Sequence, residues 1–309
     1  MLRKAINFLS NSPTAKKLLT DTPFTRAMSK QFVPGETVDS AVEATREDNA
    51  LGLKVTMNYL GESVEDEPSA RAAADTYIQL LEEIGAHKLD ANVSLKFTQM
   101  GQDISESFLA ENLGRVLEVA ERHGIFLRFD MEYSSHTQRT LDALEKLWAQ
   151  GHQNIGTVLQ AYLYRTEGDV ARMIELGARV RLCKGAYSEP AAIAIQEMDK
   201  IRENYIHLMK RLVSEGNYPG LATHDPKLIG AAVDYVAQNG IGAERFEFQM
   251  LHGVRTDLQK QLVADGYNVR VYIPFGEMWY PYLMRRMAER PANILMISRA
   301  AIGRAFGRG

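Results

Sequence analysis

The sequence has a single cysteine, Cys183, so it cannot form an intrachain disulfide, and it has no cluster of thiols that would hold a metal. It also lacks a surplus of charge, because 36 Lys and Arg side chains stand against 39 Asp and Glu side chains. Without a basic surplus there is no global field to attract nucleic acid. We therefore expect no metal site, no nucleic-acid partner, a reducing compartment, and a strictly local site for any anion.

Long apolar stretches are missing too, and the start MLRKAINFLSNSP has no small-residue cleavage site after its short apolar part. We expect a cytoplasmic protein. In the tail ILMISRAAIGRAFGRG, Arg299, Arg304 and Arg308 alternate with small apolar residues. This pattern fits a final helix with a solvated face, which we favour, or peripheral contact with anionic lipid at the inner face of a membrane.

The familiar signatures of nucleotide and zinc sites are also absent: GxGxxG after a strand, GxxxxGK[ST] and HExxH do not occur. From Gly52 onward, however, short β-branched runs alternate with amphipathic helical patterns, which predicts a parallel α/β sheet. The strand candidates number about eight, the count that closes a (βα)8 barrel. We therefore predict a (βα)8 TIM barrel over residues 51–309, preceded by a helical arm over residues 1–50. An open doubly wound sheet is the rival topology.

Polar residues stand where the predicted strands end. In a (βα)8 barrel such positions surround the carboxyl-terminal mouth, where the active sites of this fold lie. A single polar residue at the end of a strand commonly finds a hydrogen-bond partner in a neighbouring residue. So many polar strand ends together predict a functional site. The residues are Lys96, Asp130, Gln160, Lys184, Thr223, His224, Gln249 and Tyr272.

Alternation along the strands predicts charge inside the barrel. Arg128 and Asp130 share one strand face, as do Ser94 and Lys96, and Arg181 shares another face with Cys183. Buried charges must be paired or bind an anion, so the interior predicts an anionic ligand or an internal network of ion pairs. For Arg128 we expect a partner carboxylate such as Asp130.

The stretch WYPYLMRRMAERPAN reads as a helix in which Arg285 and Arg286 are adjacent, with Glu289 one turn after them and Tyr282 one turn before. Two guanidinium groups that face a cavity suit the carboxylate of an amino acid or keto acid. The alternative is a solvated face with intrahelical ion pairs. The helix alone does not decide between the two.

Taken in order, VSLKFTQMG, FDMEYS, TVLQAYLYRTEGD, RLCKGAY, ATHD, FEFQMLHGV, VRVYIPFG and YLMRRMAERPAN resemble the bacterial monofunctional proline dehydrogenases. The resemblance covers about residues 52–293. It implies a distorted (βα)8 barrel that binds FAD and oxidises L-proline to Δ1-pyrroline-5-carboxylate. It also implies that electrons pass to a membrane quinone and that a pyrroline-5-carboxylate dehydrogenase is the downstream partner.

The resemblance also implies roles for single residues. Arg285, Arg286 and Lys96 would hold the proline carboxylate, while Tyr272 and Leu251 would pack against the ring. Asp130 resembles the aspartate that orients Tyr272 and Lys96, and Glu62 resembles a glutamate that pairs with the first arginine and gates the site. The residues that would bind FAD are Asp130, Met131, Gln160, Arg181, Cys183, Lys184, Gly185, Ala186, Tyr187, Thr223, His224, Gln249, Leu251 and Glu289.

Four positions depart from the family pattern. Ser188 stands where a large residue often follows KGAY, Asp225 where Asn is frequent, His252 where Tyr is usual, and Arg128 where a small or apolar residue is usual.

Two other functions stay open at this stage. One is a lyase or aldolase that forms a Schiff base on Lys96 or Lys184, and the other is a non-enzymatic barrel that binds a carboxylate.

Overall fold

The computed structural model describes residues 31–283. Its eight strands form one closed parallel barrel in which each strand pairs with the next along the chain. The strands are β1 (Lys54–Tyr59), β2 (Ala91–Leu95), β3 (Leu127–Phe129), β4 (Ile155–Gln160), β5 (Arg179–Cys183), β6 (Gly220–Ala222), β7 (Glu247–Leu251) and β8 (Val269–Phe275). The predicted barrel is confirmed, and the open sheet is excluded.

The barrel closes between its first and last strands. Their register runs from Lys54 opposite Arg270 to Tyr59 opposite Phe275. Closure brings the carboxyl ends of all eight strands to one rim.

Helices connect the strands and cover the outside of the barrel. They are α1 (Val38–Ala50), α2 (Glu67–His87), α3 (Glu106–His123), α4 (Ser134–Ala149), α5 (Thr166–Leu176), α6 (Met198–Glu215), α7 (Pro226–Gln238) and α8 (Thr256–Ala264), with a 3-10 turn at Ala243–Arg245. The helix boundaries follow from local chemistry. Ser105 caps α3 by accepting a hydrogen bond from the Phe108 amide at 3.1 Å, and α3 ends at Gly124 with a φ of 66°.

Helix α1 is the part of the predicted arm that the structure describes. A capping box between Thr37 and Ser40 starts it, and it packs beside β1 and β8. Near its end, the Asp48 carboxylate lies 3.2 Å from Nδ1 of His252 in the loop after β7. Residues 1–30 and 284–309 lie outside the described range, so the division into an arm and a barrel stays a prediction.

The apolar core lies between the strands and the surrounding helices. Outward-facing strand residues such as Val93, Leu127 and Phe248 are buried there against helical residues such as Tyr77 and Leu208. The inward-facing positions of several strands are instead polar. Ser94, Arg128, Arg181, Glu247, Gln249 and Arg270 are all buried. Within residues 31–283, no helix combines the length and the apolar character needed to cross a membrane.

Candidate active site

A cavity of about 280 Å³ opens at the carboxyl-terminal rim of the barrel. Residues from strand ends and from the loops that follow them line it, as expected for this fold. The lining residues are Asn58, Leu60, Glu62, Lys96, Asp130, Val158, Arg181, Cys183, Ala186, Tyr187, Ala222, Thr223, His224, Gln249, Met250, Leu251, Tyr272 and Tyr282.

The Asp130 carboxylate is the electrostatic centre of this cavity. Arg181 Nη1 donates a hydrogen bond to Oδ1 at 2.9 Å, and the Tyr272 hydroxyl donates to Oδ2 at 2.9 Å. Ser94 Oγ also donates to Oδ1. These three donors come from β5, β8 and β2, so the carboxylate joins strands that are distant in sequence. The prediction of an internal ion pair is confirmed here.

The partner expected for Arg128 is wrong, because Asp130 pairs with Arg181 instead. Arg128 Nη1 donates to the carbonyl oxygen of Thr157 at 3.0 Å, and its guanidinium lies 4.9 Å from the centre of the Phe126 ring. Its Nε has no hydrogen-bond partner among residues 31–283. Burial, followed by repulsion from Arg181, lowers the pKa of Arg128 well below its usual value.

Tyr272 is held as a neutral hydrogen-bond donor. Burial raises the pKa of its phenol well above the usual value, and the adjacent charge of Asp130 raises it further. The Arg181 guanidinium lies 5.2 Å from the centre of the Tyr272 ring, which is within the range of a cation–π contact. Tyr272 is therefore fixed both by its hydroxyl and by one face of its ring.

Lys96 follows β2 directly and is only 9% exposed. Its positive charge acts on the nearby carboxyl of Glu132, which the sequence analysis did not single out. Burial raises the pKa of Glu132, while hydrogen bonds from Thr98 and the charge of Lys96 oppose that rise. The Thr98 hydroxyl donates to Oε1 of Glu132 at 2.6 Å and accepts from the Ser63 amide at 2.9 Å.

This chain of contacts supports the loop that carries Glu62. Ser63, the next residue, has a φ of 54°, a left-handed conformation that an L-residue adopts at some cost. The hydrogen bond to Thr98 holds it there. Glu62 itself lines the cavity. Glu62, the residue predicted to gate the site, therefore lies at the rim of the cavity. The hydrogen bonds that join Ser63, Thr98 and Glu132 stabilise its loop.

The segment after β5 forms another wall of the cavity. Ala186 and Tyr187 line it, and the Tyr187 ring packs against the Tyr133 ring at a tilt of 47°, with 4.3 Å between ring centres. Gly185 has a φ of 125°, and a Cβ at this position would lie 2.3 Å from the Tyr162 ring. Glycine is therefore required where the chain turns into this wall.

Several predicted cofactor residues lie beside the cavity rather than in its wall. Gln160 donates to the Glu132 carbonyl oxygen at 3.0 Å and accepts from the Ala186 amide at 3.3 Å. Lys184 Nζ lies 3.2 Å from Oδ2 of Asp225. Met131 is buried. Together with Gly185, these residues do not line the cavity.

Next to the segment after β5, the ends of β6 and β7 bring together Thr223, His224 and Leu251. The Leu251 amide donates to Nε2 of His224 at 2.9 Å, so this ring nitrogen is unprotonated. The predicted residues Arg285, Arg286 and Glu289 lie outside the described residues. Their neighbour Tyr282 does line the cavity.

Asn58 was missed by the sequence analysis. It lies in β1, donates to the Ser94 carbonyl oxygen at 2.8 Å, and has an Oδ1 with no hydrogen-bond partner among residues 31–283. A polar residue near the end of an apolar strand was the signal used for the other strands. The same rule, applied to KVTMNY, would have found it.

Comparison with known proteins identifies relatives of this barrel. The family model described as proline dehydrogenase matches residues 41–299. "Proline dehydrogenase 2" of Bacillus subtilis (strain 168) is 40% identical over 287 residues, which cover 93% of this chain and 94% of the relative. "Proline dehydrogenase" of Deinococcus radiodurans is 37% identical over 303 residues and 96% of each chain.

A solved structure supports the same assignment. Proline utilization A (PutA) from Bdellovibrio bacteriovorus, inactivated by N-propargylglycine, superposes with a TM-score of 0.80 and 26% identity, over 89% of this chain. This chain spans 33% of that larger protein. With a family model over most of its length and relatives of matching size, the chain belongs to the proline dehydrogenase family, as a bacterial monofunctional enzyme.

Proposed function

We propose that this enzyme oxidises L-proline to Δ1-pyrroline-5-carboxylate with FAD as its cofactor, as the first step of proline catabolism. The observation that carries the proposal is the cavity at the barrel mouth, which joins Lys96 and Arg181 to the Asp130–Tyr272 pair. Proline is an anion at its carboxylate and apolar over its ring. A cavity with cations on one part of its wall and Leu251 and Tyr272 on another matches both properties.

The residues present fit a flavin. Arg181 lines the cavity, and its buried Nη2 has no hydrogen-bond partner among residues 31–283, so a donor remains for an electronegative atom of the cofactor. The wall of Ala186, Tyr187, Thr223 and His224 would hold the rest of FAD. When bound, FAD would supply the hydride acceptor for the oxidation of the proline ring.

The protein residues bind and orient the substrate. Lys96 would neutralise the carboxylate together with Arg285 and Arg286, and Leu251 and Tyr272 would exclude water from the ring. The ring carbon next to nitrogen loses a hydride, the nitrogen loses a proton, and a C=N bond forms. Clustered cations disfavour a protonated amine, so they lower its pKa without a dedicated base.

The adjacent arginines provide one test of this scheme. In Arg285→Met or Arg286→Met we expect the KM for proline to rise steeply while the protein keeps its flavin, because only the carboxylate contact is lost. Steady-state kinetics and the flavin absorbance of the purified variants measure the two effects separately. Unchanged proline kinetics in either variant would contradict the proposed role of the arginines in binding the carboxylate.

Glu62 is proposed to close the site by pairing with Arg285.

The electron acceptor is proposed to be a membrane quinone, reached by peripheral contact with the membrane. We propose a pyrroline-5-carboxylate dehydrogenase as the downstream partner. Relatives support this order: the "Bifunctional protein PutA" of Escherichia coli is 30% identical over 322 residues, and the match covers only 24% of its length. The rest of that protein has room for a second activity.

A visible spectrum recorded before and after the addition of L-proline tests the whole proposal. We expect a flavin band that bleaches with proline and does not bleach with D-proline or glycine. Protein that is colourless, and stays so with added FAD, would contradict it.

A Schiff-base lyase is the second candidate function. Of its two candidate lysines, Lys96 is the one that could form a Schiff base with a ligand of the cavity. Lys96 lines the cavity, whereas Lys184 is bound to Asp225 and does not. Reduction with borohydride in the presence of a carbonyl substrate would trap a covalent adduct on Lys96 if this function were correct. For the proposed oxidation we expect no adduct.

A further inference from the structure

A buried ion pair lies in the barrel interior, below the cavity. Glu247 begins β7 and is 1% exposed, and Arg270 in β8 is 8% exposed. Arg270 Nε donates to Oε1 of Glu247 at 2.7 Å, and its Nη1 donates to the Val55 carbonyl oxygen at 2.7 Å. Neither residue lines the cavity, so neither has a part in the proposed chemistry so far.

Gln249 connects this pair to the cavity. It lies two residues after Glu247, so both side chains point into the barrel. Its Nε2 donates to Oε1 of Glu247 at 2.6 Å, and its Oε1 accepts from Nε of Arg181. A carboxylate only accepts hydrogen bonds and a guanidinium only donates them. The Gln249 amide therefore has one orientation that satisfies both neighbours, and Glu247 holds the amide nitrogen in it.

The orientation of Gln249 in turn fixes Arg181. The guanidinium is held at Nε by Gln249 and at Nη1 by Asp130, 2.9 Å away. Two fixed points determine the plane of a rigid guanidinium group. The third nitrogen, Nη2, has no hydrogen-bond partner among residues 31–283. It is the donor left for a ligand.

Gly220 provides the space that this arrangement needs. A Cβ at position 220 would lie 2.3 Å from Nε2 of Gln249, far inside van der Waals contact. The strand β6 can pass Gln249 only because this residue has no side chain. Glu247 and Gly220 thus constrain the same amide from two independent directions.

We propose that Glu247 is a positioning residue, which acts through Gln249 to hold Arg181 in the orientation that meets the flavin. This inference rests on the FAD site proposed above. It assigns a role in cofactor binding and redox tuning to a carboxylate outside the cavity wall.

Three variants test the inference. Glu247→Gln replaces an acceptor-only group with one that both donates and accepts, so position 247 no longer favours one orientation of the Gln249 amide and only Arg181 Nε does. The double variant Glu247→Met/Arg270→Met removes both members of the ion pair, since paired buried charges are often replaced by apolar side chains without loss of stability. It also removes the attraction of Glu247 for the buried Arg128, so its folding is checked separately. Gly220→Ala displaces Gln249 and leaves the ion pair intact. The matched control is Gly230→Ala on α7, where a Cβ meets no atom within 4 Å.

In each of the three variants we expect the dissociation constant for FAD to rise about tenfold, as for the loss of one charge-assisted hydrogen bond. Flavin fluorescence measures it. We also expect a more negative midpoint potential in spectroelectrochemical titration, because the guanidinium no longer faces the reduced flavin. Circular dichroism and thermal unfolding report whether each variant folds. Gly230→Ala should match the wild type in FAD affinity and midpoint potential, while its thermal stability rises slightly because alanine favours a helix over glycine.

The outcomes distinguish failure of this inference from failure of the proposed function. Wild-type affinity and potential in folded Gly220→Ala and in the double variant would overturn the inference while leaving the proposed function in place. A wild-type protein that takes up no flavin would overturn the proposed function and this inference with it. Since Gly220→Ala does not disturb the ion pair, misfolding of the Glu247 variants does not prevent a decision.

Discussion

The hydroxyl of Tyr272 donates a hydrogen bond of 2.9 Å to the carboxylate of Asp130. The two residues are far apart in sequence and come from β8 and from the end of β3. The bond fixes an aromatic ring over one wall of the cavity and gives the buried carboxylate one of its three donors. Three predictions follow from this centre and from the charges around it.

Tyr272→Phe removes the hydroxyl and keeps the ring. A hydrogen bond to a charged group contributes about 1.5–3 kcal/mol, so we expect kcat/KM for proline to fall roughly 10- to 100-fold, with FAD retained. Tyr235→Phe is the control, because that hydroxyl pairs with Ser214 between helices.

Because the pKa of Tyr272 is raised, the phenol stays neutral at alkaline pH. The alkaline side of the pH profile should therefore be the same in Tyr272→Phe, and a displaced profile would contradict this.

Asp225→Asn introduces the residue that is frequent in the family. In this chain the carboxylate is bound by Arg202 at 2.8 Å and by Lys184 at 3.2 Å. Burial raises the pKa of Asp225, but these two partners outweigh burial and the net pKa is lowered. The stabilisation is therefore present above the unfolded-state pKa of about 3.9 and is lost as the pH falls through the lower folded-state pKa.

We accordingly expect Asp225→Asn to lower the free energy of unfolding at pH 7 by about 1–3 kcal/mol, and the difference from the wild type to shrink in acid. Denaturant unfolding at a series of pH values measures it. Asp257→Asn is the control, since that carboxylate is exposed and its ion pair is with Arg255, two residues away. A deficit that stays constant at every pH would contradict the electrostatic explanation.

Arg128→Met removes a cation for which the described residues offer no carboxylate within bonding distance. Its burial is costly and Arg181 repels it, and although Glu247 attracts it, these effects together lower its pKa well below the usual value. We expect the variant to be more stable than the wild type by roughly 1–3 kcal/mol, measured by thermal unfolding. Lys210→Met, an exposed cation on α6, should change the stability little. A clear loss of stability in Arg128→Met would mean that its hydrogen bonds to the barrel carbonyls outweigh its desolvation.

Strand alternation and strand ends, which are local properties, predicted all eight strands and the cavity residues at the strand ends. The family resemblance, not the strand pattern, supplied Glu62, Ala186, Tyr187 and Leu251. Lys96, Asp130 and Tyr272 could be assigned to one rim once the strands were recognised as parallel. This is a consequence of period-two alternation and of closure. It needs no knowledge of which strands lie opposite each other.

The partner of each buried charge could not be predicted in the same way. Alternation gives the face on which Arg128, Asp130 and Arg181 lie, but not their relative height along the barrel axis. That height depends on the stagger between strands, which is a property of the whole closed sheet. Arg181 on β5 therefore reaches Asp130, while Arg128, two residues before Asp130 in sequence, does not.

The pairing of β1 with β8 has a consequence for biosynthesis. The chain emerges from the ribosome in order, so β1 must wait for the final strand before its outer edge is covered. Until then two open edges are exposed to other chains. Tyr272 arrives with that final strand. The cavity is thus completed only when the barrel seals, so its full set of lining residues comes together only after both open edges are covered.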